Sequence, residues 1–111
     1  MNKFELFTMI YFALDAYYKD AINKDEDIRC LLSDMNPFVW KDCCSADPAV
    51  YNEFCRFVGE KQVTIDNSLE IAMEYVNTIK QVDVKEAICN MEEEWFPACR
   101  EYLASDHKGK D

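Results

Sequence analysis

Apolar residues recur at helical spacing along almost the whole chain, and this pattern constrains the fold more than any other feature. Ile28, Leu31, Leu32 and Met35 follow an i, i+3, i+4, i+7 stripe. Leu69, Ala72, Met73, Val76 and Ile79 repeat it with Asp66, Glu70, Glu74 and Asn77 on the opposite face. Val84, Ala87, Ile88, Met91, Trp95, Cys99 and Tyr102 extend it once more. Punctuation is scarce, with 2 glycines and 3 prolines in 111 residues. A β protein with many tight turns needs more of both. The expectation is therefore all-α: a compact array or bundle of four to six helices with no sheet, forming one domain over residues 1–104. The polar segment 105–111 has no apolar stripe and reads as a flexible tail.

Local signals place the helices. The first spans Asn2 to Lys19. Glu5, Thr8, Asp15 and Lys19 share one narrow face, with apolar residues filling most of the rest, at 100° per residue. That arc is wider than a surface stripe, so this helix is either central or covers a second chain. Phe12 projects within the polar face. The second helix begins near Lys24 or Asp25, where Asp25, Glu26 and Asp27 meet the positive helix end, and stops at Asn36-Pro37. Pro37 to Asp42 reads as one helical turn capped by Asn36, with Phe38, Val39 and Trp40 plugging the end of the bundle. If exposed, those three become the best ligand or partner contact.

Asp47-Pro48 opens a third helix, lined inside by Val50, Tyr51, Phe54, Phe57 and Val58 and ended by Gly59. Thr64 caps a fourth, reaching Lys80. Asp83 and Glu86 have capping-box spacing for a fifth, reaching Ala104, which Pro97 should kink or split near Phe96.

Chemistry is hard to find. Two glycines leave no phosphate-cradling loop or dinucleotide fingerprint. His107 is the one histidine and reads as an exposed tail residue: a nucleophile–histidine arrangement would have to recruit it, and paired di-iron Glu-x-x-His motifs need more than one. Asp25-Glu26-Asp27 lacks the alternation and central glycine of a calcium loop. The expectation is no catalytic residue, metal or cofactor. Cys30, Cys43, Cys44, Cys55, Cys89 and Cys99 contain no CxxC pair and read as small buried hydrophobes. Cys43-Cys44 reads as structural, because nearby carboxylates oppose a thiolate.

The formal net charge is −10. It disfavours nucleic acid and anionic membranes but suits a basic protein surface, or serves only solubility. No leader pattern or spanning segment is read, which points to the cytoplasm. Glu92-Glu93-Glu94 before Trp95-Phe96 is the densest acidic cluster. It reads either as a solvated helix face or as an acidic rim beside an aromatic anchor. The candidate binding residues are Phe12, Trp40, Glu92, Glu93, Glu94 and Phe96.

The stretch Asn36-Pro37-Phe38-Val39-Trp40-Lys41-Asp42, with Ser45-Ala46-Asp47-Pro48-Ala49-Val50-Tyr51-Asn52-Glu53-Phe54, resembles small uncharacterised bacterial all-helical domains. The resemblance implies a bacterial, cytosolic setting and no particular mechanism. Three functions remain open: an inhibitor- or immunity-type protein-binding module, a homodimer built on the first helix, and a small-molecule binder or enzyme using carboxylates such as Glu92 or Asp15.

Overall fold

The computed structural model describes residues 1–110 and contains six helices: α1 (Lys3–Tyr17), α2 (Glu26–Met35), α3 (Pro48–Val58), α4 (Ile65–Thr78), α5 (Lys85–Cys89) and α6 (Trp95–Ala104). The described residues include no strand. Asp111, the last residue of the expected tail, lies outside them. None of the helices is long and apolar enough to cross a membrane.

Each early helix starts where a side chain can satisfy its free N–H groups. Asn2 caps α1 in a reciprocal box, accepting from the Glu5 N–H at 2.8 Å while its own N–H donates to Glu5 Oε1 at 2.8 Å. Asp25 caps α2, and Asp47 caps α3 with Pro48 in the first turn. Thr64 and Asn67 form the box at α4. Gly59 ends α3 at φ +63°, a left-handed conformation that costs glycine nothing.

Phe57, expected to line the inside of α3, is 38% exposed, and two expectations for the later helices are corrected as well. The Asp83–Glu86 box does not form. Val84 is the N-cap of α5, and Asp83 accepts from the Lys85 N–H at 3.1 Å instead. The expected split of the last helix does occur, at Asn90–Glu94 just before Phe96. Pro97 tolerates a helix only in its first turn, because its ring clashes with the carbonyl four residues back, so the break falls one turn earlier and α6 restarts at Trp95. The buried face of α4 is also rotated from the sequence stripe. Ser68, Ile71, Ala72, Tyr75 and Val76 are buried, while Met73 is exposed and Leu69 half-buried. Ser68 turns inward to accept from the buried Trp95 indole N–H at 2.8 Å. Tyr75 follows it, edge-on to Phe54 at 4.8 Å.

The wide apolar arc of α1 is used inside the fold. This helix packs against α2, α3, α4 and α5, and Leu6, Phe7, Ile10 and Leu14 are fully buried. Its supposed polar face is partly buried too, since Glu5 and Thr8 are covered. The α4–α5 and α4–α6 contacts complete the core.

Candidate functional site

The segment between α2 and α3 is a closed loop, not a helical turn or a plug. Backbone bonds from Ala46 N to Asn36 O (2.9 Å) and from Asp47 N to Asp34 O (3.0 Å) pinch its base. The Asn36 side chain accepts from the Phe38 N–H at 2.9 Å, turning the chain outward. Pro37 and Ser45 are buried, while Phe38, Val39 and Trp40 are 51%, 53% and 51% exposed. The Trp40 indole donates to Ala46 O at 3.2 Å, which fixes the ring on the loop.

Phe12 from α1 meets this loop. It is exposed, and its ring stacks on Phe38 at 5.7 Å and 27°, with Tyr102 edge-on at 5.7 Å. Beside it, α1 and α6 leave an open groove of about 410 Å³. Met9, Ala13, Ala16 and Ala98 line it between Phe12 and Tyr102, and Glu101 joins the lining.

The C-terminal segment braces this face, which corrects the reading of His107 as exposed. The His107 side chain is 6% exposed; Nε2 lies 2.6 Å from Glu5 Oε2 and Nδ1 lies 2.7 Å from Ser105 O. Both ring nitrogens thus face oxygen atoms within hydrogen-bond distance. Glu5 serves twice, capping α1 through one oxygen and holding His107 through the other. Lys108 Nζ donates to Pro37 O at 2.9 Å and to Trp40 O. Asn2 Nδ2 donates to Gly109 O at 2.9 Å, and Gly109 closes onto the Phe4 ring. No sequence signal marked these residues, because the segment lacks periodicity and its partners sit at the other end of the chain.

The acidic candidates lie elsewhere. Glu92, Glu93 and Glu94 are exposed and form the turn between α5 and α6. Trp95 is fully buried and unavailable as an anchor; Phe96, a helical step of 100° away, is half-buried at the surface. Phe96 joins Leu69 and Met73 in a groove of about 370 Å³ between α4 and α6. Asp66, Glu70 and Glu74 line the same groove, and no lysine or arginine does. Ala98 and Phe96 differ by about 200° around α6, so the two grooves flank opposite sides of that helix. The structure thus separates the six candidates: Phe12 stacks on Phe38 beside the α1/α6 groove, Trp40 lines a separate hollow with Lys41, Asp42, Cys44 and Pro48, Phe96 lies in the acidic groove, and Glu92–Glu94 stay in the α5–α6 turn outside its lining. The sequence marks Asp66, Glu70, Glu74 and Met73 only as parts of an amphipathic helix.

The thiols are less buried than their reading as core hydrophobes. Only Cys99 is buried; Cys30, Cys43 and Cys89 are exposed, and Cys44 and Cys55 are half-buried. Burial pushes the Cys99 thiol up to about 11. Among the described residues, no three His, Cys, Asp or Glu side chains gather closely enough to hold a metal ion. The one ion pair among them is His107–Glu5, which leaves the remaining carboxylates without a cation within 4.0 Å.

A scan against protein-family models, a search of curated proteins and a search of solved structures each found no match to this chain.

Proposed function

We propose that this chain is a small cytoplasmic protein-binding module of inhibitor or immunity type, whose α4/α6 groove receives a basic surface of its partner. One observation carries the reading: an apolar floor of Leu69, Met73 and Phe96 is lined by Asp66, Glu70 and Glu74, with no cation among the lining residues. Apolar anchors supply affinity in such an interface, and a uniformly negative rim selects the partner's sign and speeds encounter. The net charge of −10 extends that field beyond the groove. The bacterial setting implied by the sequence resemblance is compatible with a toxin-neutralising role.

The test is affinity purification from the source cells with wild type and an Asp66→Asn/Glu70→Gln/Glu74→Gln variant, followed by titration of the captured protein across salt. The wild type should retain a basic protein that the variant loses, and affinity should fall as the Debye length shrinks from about 30 Å at 0.01 M to about 3 Å at 1 M. A partner held equally by the neutralised variant, or an affinity indifferent to salt, overturns the reading.

A further inference from the structure

Another hollow, of about 440 Å³, lies where α2, α3 and the end of α4 meet. That volume falls in the range of small-molecule sites, roughly 300–1,000 Å³. Tyr75 lines it, and Tyr75 and Met73 differ by about 200° around α4, so the hollow and the acidic groove lie on opposite sides of that helix. Leu31, Val50, Phe57 and Ile79 make its apolar wall.

Three polar groups in the lining have bonding capacity that the fold does not use. Tyr75 is 5% exposed, with its ring edge-on to Phe54 and 5.7 Å from Phe57. Its carbonyl accepts from the Thr78 hydroxyl at 2.6 Å, but its own hydroxyl has no hydrogen-bond partner among the described residues. The one side-chain polar atom among them that is both sealed from solvent and unpaired is Tyr102 Oη. The Tyr75 hydroxyl is therefore not sealed, and it opens onto the hollow that it lines. A polar group on a buried ring is costly until something pairs with it. Burial first, and then the Glu53 carboxylate, push this phenol up to about 12, so it remains a donor at neutral pH. Glu53 and Arg56 are the one anion and the one cation in the lining. They stand one turn apart on α3, at the spacing that puts Cβ atoms about 5–6 Å from each other. Neither forms an ion pair with the other or with any other described residue. Lys80, next to Ile79 in the chain, lines a different hollow with Asn77 and Asp83.

This set selects a ligand of both charges. A phosphate or a simple carboxylate leaves Glu53 unanswered, and a polyamine or a basic peptide leaves Arg56 so. A free α-amino acid carries its ammonium nitrogen and carboxylate carbon on one atom, roughly 2.5 Å apart by standard bond lengths and angles. Side chains one helical turn apart can close on such a pair from either side, arginine with a two-pronged bond to the carboxylate. We infer that the α2/α3/α4 hollow binds a free α-amino acid with a large apolar side chain. Its carboxylate meets Arg56 and the Tyr75 hydroxyl, its ammonium meets Glu53, and its side chain lies against Leu31, Val50 and Ile79.

Amide chemical-shift titrations of the full chain test this, with L-phenylalanine and L-leucine as probes and circular dichroism confirming that each variant folds. Both amino acids should shift amides within 50–57 and 75–81. L-phenylalaninamide, which lacks the carboxylate, and 3-phenylpropanoate, which lacks the ammonium, should each bind about tenfold more weakly or worse. Arg56→Gln should cost L-phenylalanine a similar factor and leave the amide's affinity unchanged. Glu53→Gln should do the same to L-phenylalanine and leave that of 3-phenylpropanoate unchanged. Tyr75→Phe keeps the ring in place and should weaken both amino acids. No shift at these residues with either amino acid up to its solubility limit overturns the inference. So does equal affinity for L-phenylalanine and its two truncated analogues, or an Arg56→Gln loss as large for the amide as for the acid. The Asp66→Asn/Glu70→Gln/Glu74→Gln variant should bind both amino acids as the wild type does, so this result is separate from the fate of the acidic groove.

Discussion

Ser68 is a polar residue on the buried face of α4, and its replacement by alanine tests how α4 and α6 are joined. Its hydroxyl donates to Ile65 O at 2.7 Å and accepts from Trp95 Nε1 at 2.8 Å, and both side chains are fully buried. Ser68→Ala strands the indole N–H away from water, a cost of about 1–3 kcal/mol. Alanine recovers about 0.5 kcal/mol through helix propensity. The net loss of about 1–2 kcal/mol should lower Tm by about 5–10 °C in a domain of this size. Trp95→Phe removes the N–H but leaves a smaller ring in the same place. In that background Ser68→Ala should cost nothing or gain slightly, giving a coupling of about 1–2 kcal/mol in urea titrations of the four proteins. If Ser68→Ala costs the same with and without the indole, or costs nothing in the wild type, the inward rotation of α4 has been wrongly explained.

Gly109→Ala should unseat the C-terminal segment, since φ there is +89° and a Cβ would fall 2.7 Å from Phe4 Cδ2. Faster amide exchange over residues 105–110 is the expected readout, with strain of about 1–3 kcal/mol relieved by detachment; unchanged exchange refutes it. Glu5→Ala removes both the α1 cap contact and the His107 partner and should cost about 2–4 kcal/mol by thermal melting. A loss no larger than that of a cap alone would mean His107 does not depend on Glu5. Burial raises the Cys99 thiol from its ordinary 9.0 to about 11 and the Tyr75 phenol from 10.0 to about 12, so the folded state keeps protons the unfolded chain releases. Stability should therefore fall as pH rises from about 9 toward 12, read as a falling urea midpoint. A flat midpoint, or labelling of Cys99 in the native protein as fast as the exposed Cys30, contradicts this burial.

Short-range chemistry was written in the sequence. Asp25, Asp47-Pro48, Gly59 and Thr64 mark helix ends because each acts on backbone groups within a few residues of itself, and the structure places them where the sequence puts them. The Ile28–Met35 stripe likewise predicts the buried face of α2. The outward placement of Phe12 was legible for the same reason, being a matter of angle around one helix. The candidate surfaces were only partly legible. Phe96 and Glu92–Glu94 stood out by composition, but the Asp66, Glu70 and Glu74 wall requires knowing which face of α4 turns out.

What tertiary contact alone decided lies where partners are distant in the chain. The turn of Ser68 and Tyr75 into the core depends on an indole 27 residues away from Ser68. The seating of His107 depends on a carboxylate 102 residues away. Phe38 and Trp40 face outward because backbone bonds across the loop, and Lys108 from the far end of the chain, hold them there. Periodicity along a helix reports how broad its apolar side is. It does not report which neighbour will meet that side, because burial is settled by the pairing of whole surfaces and by the need of each buried donor for an acceptor.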